Sequence, residues 1–295
     1  MKNKLEYVQR ANTLIEALPY IKKFKDKLVV IKYGGSFMYD SEIKESIMDD
    51  IALMKLVGIQ PIIVHGGGKD ISQFLDALDI HTEFVDGLRV TGKDAIEVTE
   101  MVLSGKINKE IVQLLQNRGM NSVGISGKDG GLIKVHKAIQ GDIDLGFVGE
   151  VETVNPDLIY TLLNHDYIPI IAPIGTDDLG QGFNINADHV AYGIAKALKA
   201  EKLIYLTDTD GVYYDHKDPT SILSRLTARE IKQLIIDNII SGGMIPKVEN
   251  AVEALEGGVG SVHILDGKLE HALIVELFTA AGCGTMIYKE ESKDE

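Results

Sequence analysis

Six short runs rich in β-branched residues recur along the chain: LVVIKY from Leu28, IQPIIVH from Ile59, SVGIS from Ser122, YIPIIAPI from Tyr167, KLIYLT from Lys202 and SVHIL from Ser261. Each is apolar at consecutive positions, so a strand made from it must be covered on both faces. Such strands belong to a mainly parallel sheet with helices packed on either side. The stretches between them carry a helical period. SEIKESIMDDIALMKLVG places Ile43, Ile47, Ile51, Met54 and Val57 on one side and closes at Gly58. INADHVAYGIAKALKAE and GGMIPKVENAVEALEGG have the same character. The expected fold is α/β, a three-layer αβα sandwich around an open, mainly parallel central sheet.

Three segments stand outside the alternation. KVHKAIQGDIDLGFVGEVETVNP is strand-like and predicts an antiparallel excursion from the sheet. The turn-rich GTDDLGQGFN, 175–184, is the best candidate for a boundary between lobes. The first ~25 residues predict an amphipathic helix with Leu5, Val8, Leu14, Ile15, Leu18 and Ile21 on one side. Lying before the first sheet strand, that helix needs another surface to cover its stripe, and a second subunit could supply one. A chain of 295 residues is long enough for two lobes on a prior of ~150 residues per domain. The expected division is an N-terminal helix, 1–26, an N-terminal lobe, 27–178, and a C-terminal lobe, 179–295.

Composition narrows the function classes. A net charge of −14 argues against a general binder of nucleic acid or membrane surface, because phosphates demand a basic face. Any anionic ligand must then be met by a few placed cations. The single cysteine, Cys283, excludes an internal disulfide and a cysteine-cluster metal site. No apolar run approaches the ~18–20 residues of a membrane span, and charges scatter through the first residues, so the expected location is cytoplasmic.

In open α/β sheets, ligands bind beyond the carboxyl ends of the strands. Gly34 and Gly35 follow the first strand, and Gly66, Gly67 and Gly68 follow PIIVH. Glycines there let backbone N–H groups close on an oxyanion, and a following helix N-terminus adds its positive end. The familiar nucleotide signatures are missing: no Gly-Lys pair is followed by Ser or Thr, and no stretch matches G-x-G-x-x-G. LTDTDGVYYD resembles a calcium loop only superficially, since Leu206 and Lys217 fall where acidic ligands should be. Lys32 ends the first strand, either as an edge lysine or as a cation aimed at the glycine loop. Lys247 in SGGMIPK has the same two readings. Asn184, Asn186 and Asp188 in NINADHVA enter a helix, where Asn and Asp are good N-caps.

IKYGGS, IVHGGG, GLRVT, NINADHVA, LTDTDGV and GGMIPKV, in this order from Lys32 to Lys247, resemble the amino acid kinase superfamily. They are closest to its branch that phosphorylates N-acetyl-L-glutamate. Tyr33 in KYGG and Asp86 in DGLRVT are small departures from the family pattern. The resemblance implies the amino acid kinase fold, ATP with Mg²⁺ held through the ATP phosphates and no protein metal site, and the acyl phosphate as product, toward arginine. By the same resemblance, Lys32 and Lys247 bracket the phosphoryl group in flight and Asp188 holds both lysines by ion pairing. Arg89 would clamp the substrate α-carboxylate, and Asn184 and Asn186 would bond its acetamido and carboxylate groups. Gly67, Gly68, Gly34 and Gly35 would supply amides to the reacting groups. Asp208, Gly211, Val212, Tyr213, Ile239 and Ser241 would line the nucleotide side.

The N-terminal helix and the C-terminal SVHILDG and HALIVELFTAAGCGTM further resemble the arginine-sensitive, hexameric members, built as a trimer of dimers. This implies L-arginine as inhibitor, with His263, Glu276 and Gly282 as contacts and Tyr20 and Lys202 beside them. Glutamate 5-kinase, carbamate kinase, aspartokinase and uridylate kinase types share the lysine and glycine logic. A non-catalytic arginine sensor would be expected to lose Lys32, Asp188 or Lys247, and all three are present. A dinucleotide oxidoreductase lacks its glycine fingerprint here.

Overall fold

A computed structural model describes residues 2–85, 87–141, 143–215 and 217–290. Asp86 and the side chain of Leu5 lie outside the described residues. All six apolar runs enter one eight-stranded sheet. Its order is Arg225–Thr227, Thr285–Tyr288, Ser261–Asp266, Lys202–Thr207, Leu28–Tyr33, Gln60–His65, Ile168–Ala172 and Ser122–Ser126. Neighbours are parallel throughout except Ser261–Asp266 with Thr285–Tyr288.

Alternate residues of the central strands enter two separate cores, as a sheet buried on both faces requires. Val30, Ile62 and Leu203 pack with the helices Ala187–Leu198 and Met244–Glu256. Val29, Ile31 and Ile204 pack on the other face with the helix Ser41–Leu56 and the helical stretch from Lys93 to Gln116. That stretch is π-helical over Met101–Ile107, a local widening that sequence periodicity does not reveal.

The antiparallel excursion is present. Ile133–Gln140 and Ile143–Val154 form a hairpin, and Ile174–Thr176 and Gly182–Ile185 complete a small closed four-stranded barrel with it. The segment 175–184 is thus the turn of a strand pair inside that barrel. The two strands of the eight-stranded sheet that periodicity missed, Arg225–Thr227 and Thr285–Tyr288, are three and four residues long.

The chain opens with helices Lys2–Glu16 and Leu18–Phe24, joined at Ala17, with Pro19 in the first turn of the second. Phe24 is buried and Ile21 half-buried, whereas Val8, Leu14, Ile15 and Leu18 are 42–72% exposed. The expected stripe exists, and its first part has no cover among the described residues. Among the described residues no helix is long and apolar enough to cross a membrane.

Candidate active site

Strands Leu28–Tyr33 and Gln60–His65 run parallel with Lys32 beside Val64 and Tyr33 beside His65, so both glycine loops leave the sheet together. The Gly66 N–H donates to the Tyr33 carbonyl at 2.8 Å. Lys32 folds back over its own loop: Nζ donates to the Gly34 carbonyl at 3.3 Å and pairs with Asp188 Oδ1 at 3.0 Å. A Cβ on Gly34 would lie 3.1 Å from Lys32 Nζ and 3.3 Å from the Gly66 nitrogen, so a side chain there would crowd both. Asp188 reaches Lys32 from the first turn of the helix Ala187–Leu198. Ser36, after the loop, donates its N–H to both Asp208 carboxylate oxygens at 3.1 Å, and its hydroxyl also donates to Asp208. Burial raises the Asp208 pKa, but the Ser36 bonds outweigh it and hold the carboxyl below its usual range.

Beside this pair lies a cavity of about 200 Å³ lined by Gly66, Gly67, Gly68, Arg89, Asn184 and Asn186. The glycines open the helix Gly68–Ala77, whose first N–H groups have no intrahelical partner. A Cβ on Gly67 would sit 2.3 Å from Ile107 and 2.7 Å from Leu103 of the π-helical stretch, so only glycine lets that helix close in. Arg89 is buried. Its Nη2 donates to the Gly68 carbonyl at 2.9 Å and to Ser72 Oγ at 2.7 Å, and its Nη1 donates to Thr82 Oγ1 at 2.8 Å. Its guanidinium also stacks 4.6 Å from the Phe84 ring. Burial lowers its pKa, but a guanidinium stays charged even so. Asn186 caps the helix Ala187–Leu198 by accepting the Asp188 N–H at 2.8 Å, which leaves its amide NH₂ free to donate into the cavity it lines.

The expected residues do not all converge. Lys247 sits half-buried in the first turn of Met244–Glu256 and makes no ion pair among the described residues, so the pairing of Asp188 with both lysines is seen for Lys32 only. Gly211 and Val212 pack on the strand Thr285–Tyr288: the Val212 N–H donates to Thr285 Oγ1 at 2.8 Å, and a Cβ on Gly211 would lie 2.5 Å from that oxygen. The Tyr213 hydroxyl donates to Asp210. Ile239 is half-buried and Ser241 exposed, before Met244–Glu256. Ser36, His65 and Asn108 escaped sequence reading. The strand-end position of His65, next to three glycines, was the available signal.

At the opposite, N-terminal end of the sheet, Tyr20, Lys202, His263, Glu276 and Gly282 line one cavity of about 570 Å³ together with Arg225. Lys202 Nζ lies 2.8 Å from His263 Nε2 and 3.2 Å from Ser261 Oγ, and His263 Nδ1 lies 2.6 Å from Glu276 Oε1. Burial pushes the Lys202 pKa down to about 8, with Glu276 only partly opposing it. Burial likewise lowers His263 against the pull of Glu276. For Glu276 burial acts upward, and the bond to His263 wins, leaving the carboxylate below its usual range.

The chain matches the amino acid kinase family over residues 27–266. It is 52% identical over 290 residues to the acetylglutamate kinase of Carboxydothermus hydrogenoformans, covering 96% of this chain and 99% of that one. It is 50% identical over 294 residues to the acetylglutamate kinase of Heliobacterium modesticaldum, covering 97% and 100%. The N-acetylglutamate synthase from Neisseria gonorrhoeae, solved with coenzyme A and N-acetyl-glutamate, superposes with a TM-score of 0.83 at 26% identity. That match takes in 95% of this chain but spans only 64% of the synthase.

Proposed function

This chain belongs to the acetylglutamate kinases of the amino acid kinase family, and we propose that Lys32, Asp188, Lys247 and the two glycine loops perform its phosphoryl transfer. N-Acetyl-L-glutamate is the substrate and ATP the phosphoryl donor. The nucleophile is the side-chain carboxylate, which ordinarily titrates at ~4.3, so it attacks already ionised. No general base is needed. The barrier is charge repulsion between a carboxylate and a triphosphate, and catalysis consists of positioning and charge stabilisation. Lys32, kept in place by Asp188, meets the transferring group together with the Gly34, Gly35, Gly67 and Gly68 amides. Lys247 completes the clamp from the nucleotide side. Arg89 fixes the α-carboxylate of the substrate, and Asn184 and Asn186 bond its polar groups.

ATP lies over 179–295, against Asp208, Gly211, Val212, Tyr213, Ile239 and Ser241. The described residues hold no cluster of three or more His, Cys, Asp or Glu side chains suited to a metal. Mg²⁺ would come carried on the ATP phosphates, where it would neutralise charge. The observation that carries the reading is the 3.0 Å Lys32–Asp188 pair beside the glycine-floored cavity. Trapping the acyl phosphate with hydroxylamine tests it. N-Acetyl-L-glutamate should give hydroxamate stoichiometric with ADP, and glutamate, aspartate, carbamate and UMP should release little ADP. A preference for one of those four would replace the substrate assignment.

The N-terminal helix and the second cavity support a regulatory reading. The exposed stripe of Lys2–Glu16 pairs with its equivalent on another dimer to make a hexamer, and L-arginine binds among Tyr20, Lys202, His263, Glu276 and Gly282. Glu276 meets its cationic end. Arginine inhibits by opening the ring so that the two lysines cannot close, a coupling of ~1–3 kcal/mol. Deleting residues 1–24 should leave active dimers that ignore arginine. A full-length chain that is dimeric by light scattering and unaffected by millimolar arginine would end this regulatory reading and leave the kinase intact.

A further inference from the structure

The phosphoryl-transfer reading gives Gly67 and Gly68 a task but does not say what aims their amides. We infer that His65 and Asn108 are positioning residues that lock the Gly66–Gly67 peptide with its N–H facing the site; the inference rests on that reading. His65 is the last residue of its strand and is fully buried. Its Nδ1 is 2.9 Å from the Gly66 carbonyl oxygen, and its Nε2 is 3.2 Å from Asn108 Nδ2. Asn108, also fully buried, opens the helix Asn108–Gln116 directly after the π-helical stretch.

The surrounding partners fix every donor in this chain of bonds. Lys109 Nζ can only donate, and it donates to Asn108 Oδ1 at 2.9 Å, so the Asn108 oxygen faces the lysine. Its NH₂ therefore gives one hydrogen to the Ile170 carbonyl, at 2.9 Å, and the other to His65 Nε2, at 3.2 Å, with the Ile125 carbonyl, at 3.3 Å, sharing one of the two. An accepting Nε2 puts the ring proton on Nδ1, which donates to the Gly66 carbonyl. Burial holds the ring neutral, pushing its pKa down to about 4.

A planar trans peptide carries its C=O and N–H on opposite sides. Holding the Gly66 oxygen on His65 thus turns the Gly67 N–H the other way, toward the cavity that Gly67 lines. Glycine itself resists a peptide flip poorly, so this bond, with the Gly66 N–H on Tyr33, supplies the rigidity. The network is built into the sheet as well. A Cβ on Gly124 would fall 1.7 Å from Asn108 Oδ1 and 2.8 Å from Lys109 Nζ, which accounts for a glycine in the middle of the strand Ser122–Ser126.

The test compares His65→Leu, which cannot donate, with His65→Asn, whose amide nitrogen occupies the place of Nδ1, alongside Asn108→Ala and a Lys32→Ala control. Turnover of His65→Leu should fall by ~10- to 100-fold while KM for ATP and for N-acetyl-L-glutamate stays within about threefold, the mark of a contact made in the transition state. His65→Asn should recover to within about fivefold of the unaltered chain. Turnover of His65→Leu within about twofold of normal, or His65→Asn as impaired as His65→Leu, overturns the inference. If His65→Leu does not fold, Asn108→Ala decides: it should lower turnover without raising either KM, and normal turnover overturns the inference. Lys32→Ala separates the two levels. If that variant turns over normally, the phosphoryl-transfer reading fails whatever His65 does. If it is inactive while the His65 variants are normal, only the positioning role is lost.

Discussion

Lys32 and Lys202 stand on neighbouring strands of one sheet, close in register, since Val29 lies beside Lys202 and Lys32 beside Tyr205. Their surroundings differ in kind. Lys32, at the carboxyl end, touches a carboxylate directly and hangs over glycine backbone. Lys202, at the amino end, is packed 5.0 Å from the Phe24 ring and separated from Glu276 by a neutral imidazole. The first arrangement holds a cation over glycine backbone at the strand ends, the setting that the proposed phosphoryl transfer between two anions needs. The second holds an incompletely compensated charge beneath Phe24 of the second N-terminal helix. One sheet thus carries a carboxylate-paired lysine over glycine backbone at one end and a buried Lys202–His263–Glu276 cluster at the other.

The sharpest way to break this contrast is to remove each lysine's role in turn. Lys32→Ala should lower turnover by ~10²-fold or more with little change in either KM, read by a coupled ADP assay. A smaller effect belongs to Arg89→Lys, which keeps the charge and loses the planar fork: KM for N-acetyl-L-glutamate should rise by ~10-fold while that for ATP holds. A rise in the ATP value instead would move Arg89 to the nucleotide side. At the other end, Glu276→Gln should raise the arginine concentration for half-inhibition by ~10-fold, since the ligand cation loses its buried countercharge there.

The smallest effect is one of pH. The Lys202 pKa is depressed in the folded chain from 10.5 to about 8. The unfolded chain therefore binds more protons between those values, and stability should rise with pH from about 8 to about 10.5. Below pH 8 the whole cost of the buried ammonium is present. Lys202→Met should flatten this part of the melting-temperature profile, removing at most ~3 kcal/mol of pH dependence. An unchanged slope would show that Lys202 titrates alike in the folded and unfolded chain.

Much of this was legible in the sequence because continuous apolar runs leave a strand no solvent face, and all six such runs lie in the sheet. The short strands Arg225–Thr227 and Thr285–Tyr288 carry too few residues to show a period. The glycine loops and Lys32 could be read because strand ends are where α/β sheets bind ligands. Asn186 shows that the two readings of one residue can both hold, since it caps a helix and lines the cavity. The pairing of His65 with Asn108 could not be read: they are 43 residues apart, and nothing local says that an asparagine after a π-helical turn meets the strand-end histidine. Nor does sequence tell whether Lys247 pairs with Asp188 before the nucleotide arrives.

Above all, the proposed mechanism moves no proton in the transition state, since in it the attacking carboxylate is already ionised and Asp188 orients Lys32 without acting as a base. A rapid-quench single turnover in H₂O and D₂O, with both substrates saturating, measures this step apart from product release. The rate ratio should be near unity, about 1.0–1.3, in the unaltered chain and in Asp188→Asn alike, although the variant turns over ~10²-fold more slowly. A ratio of about 2 or more that disappears in Asp188→Asn would make Asp188 a general base and contradict this mechanism.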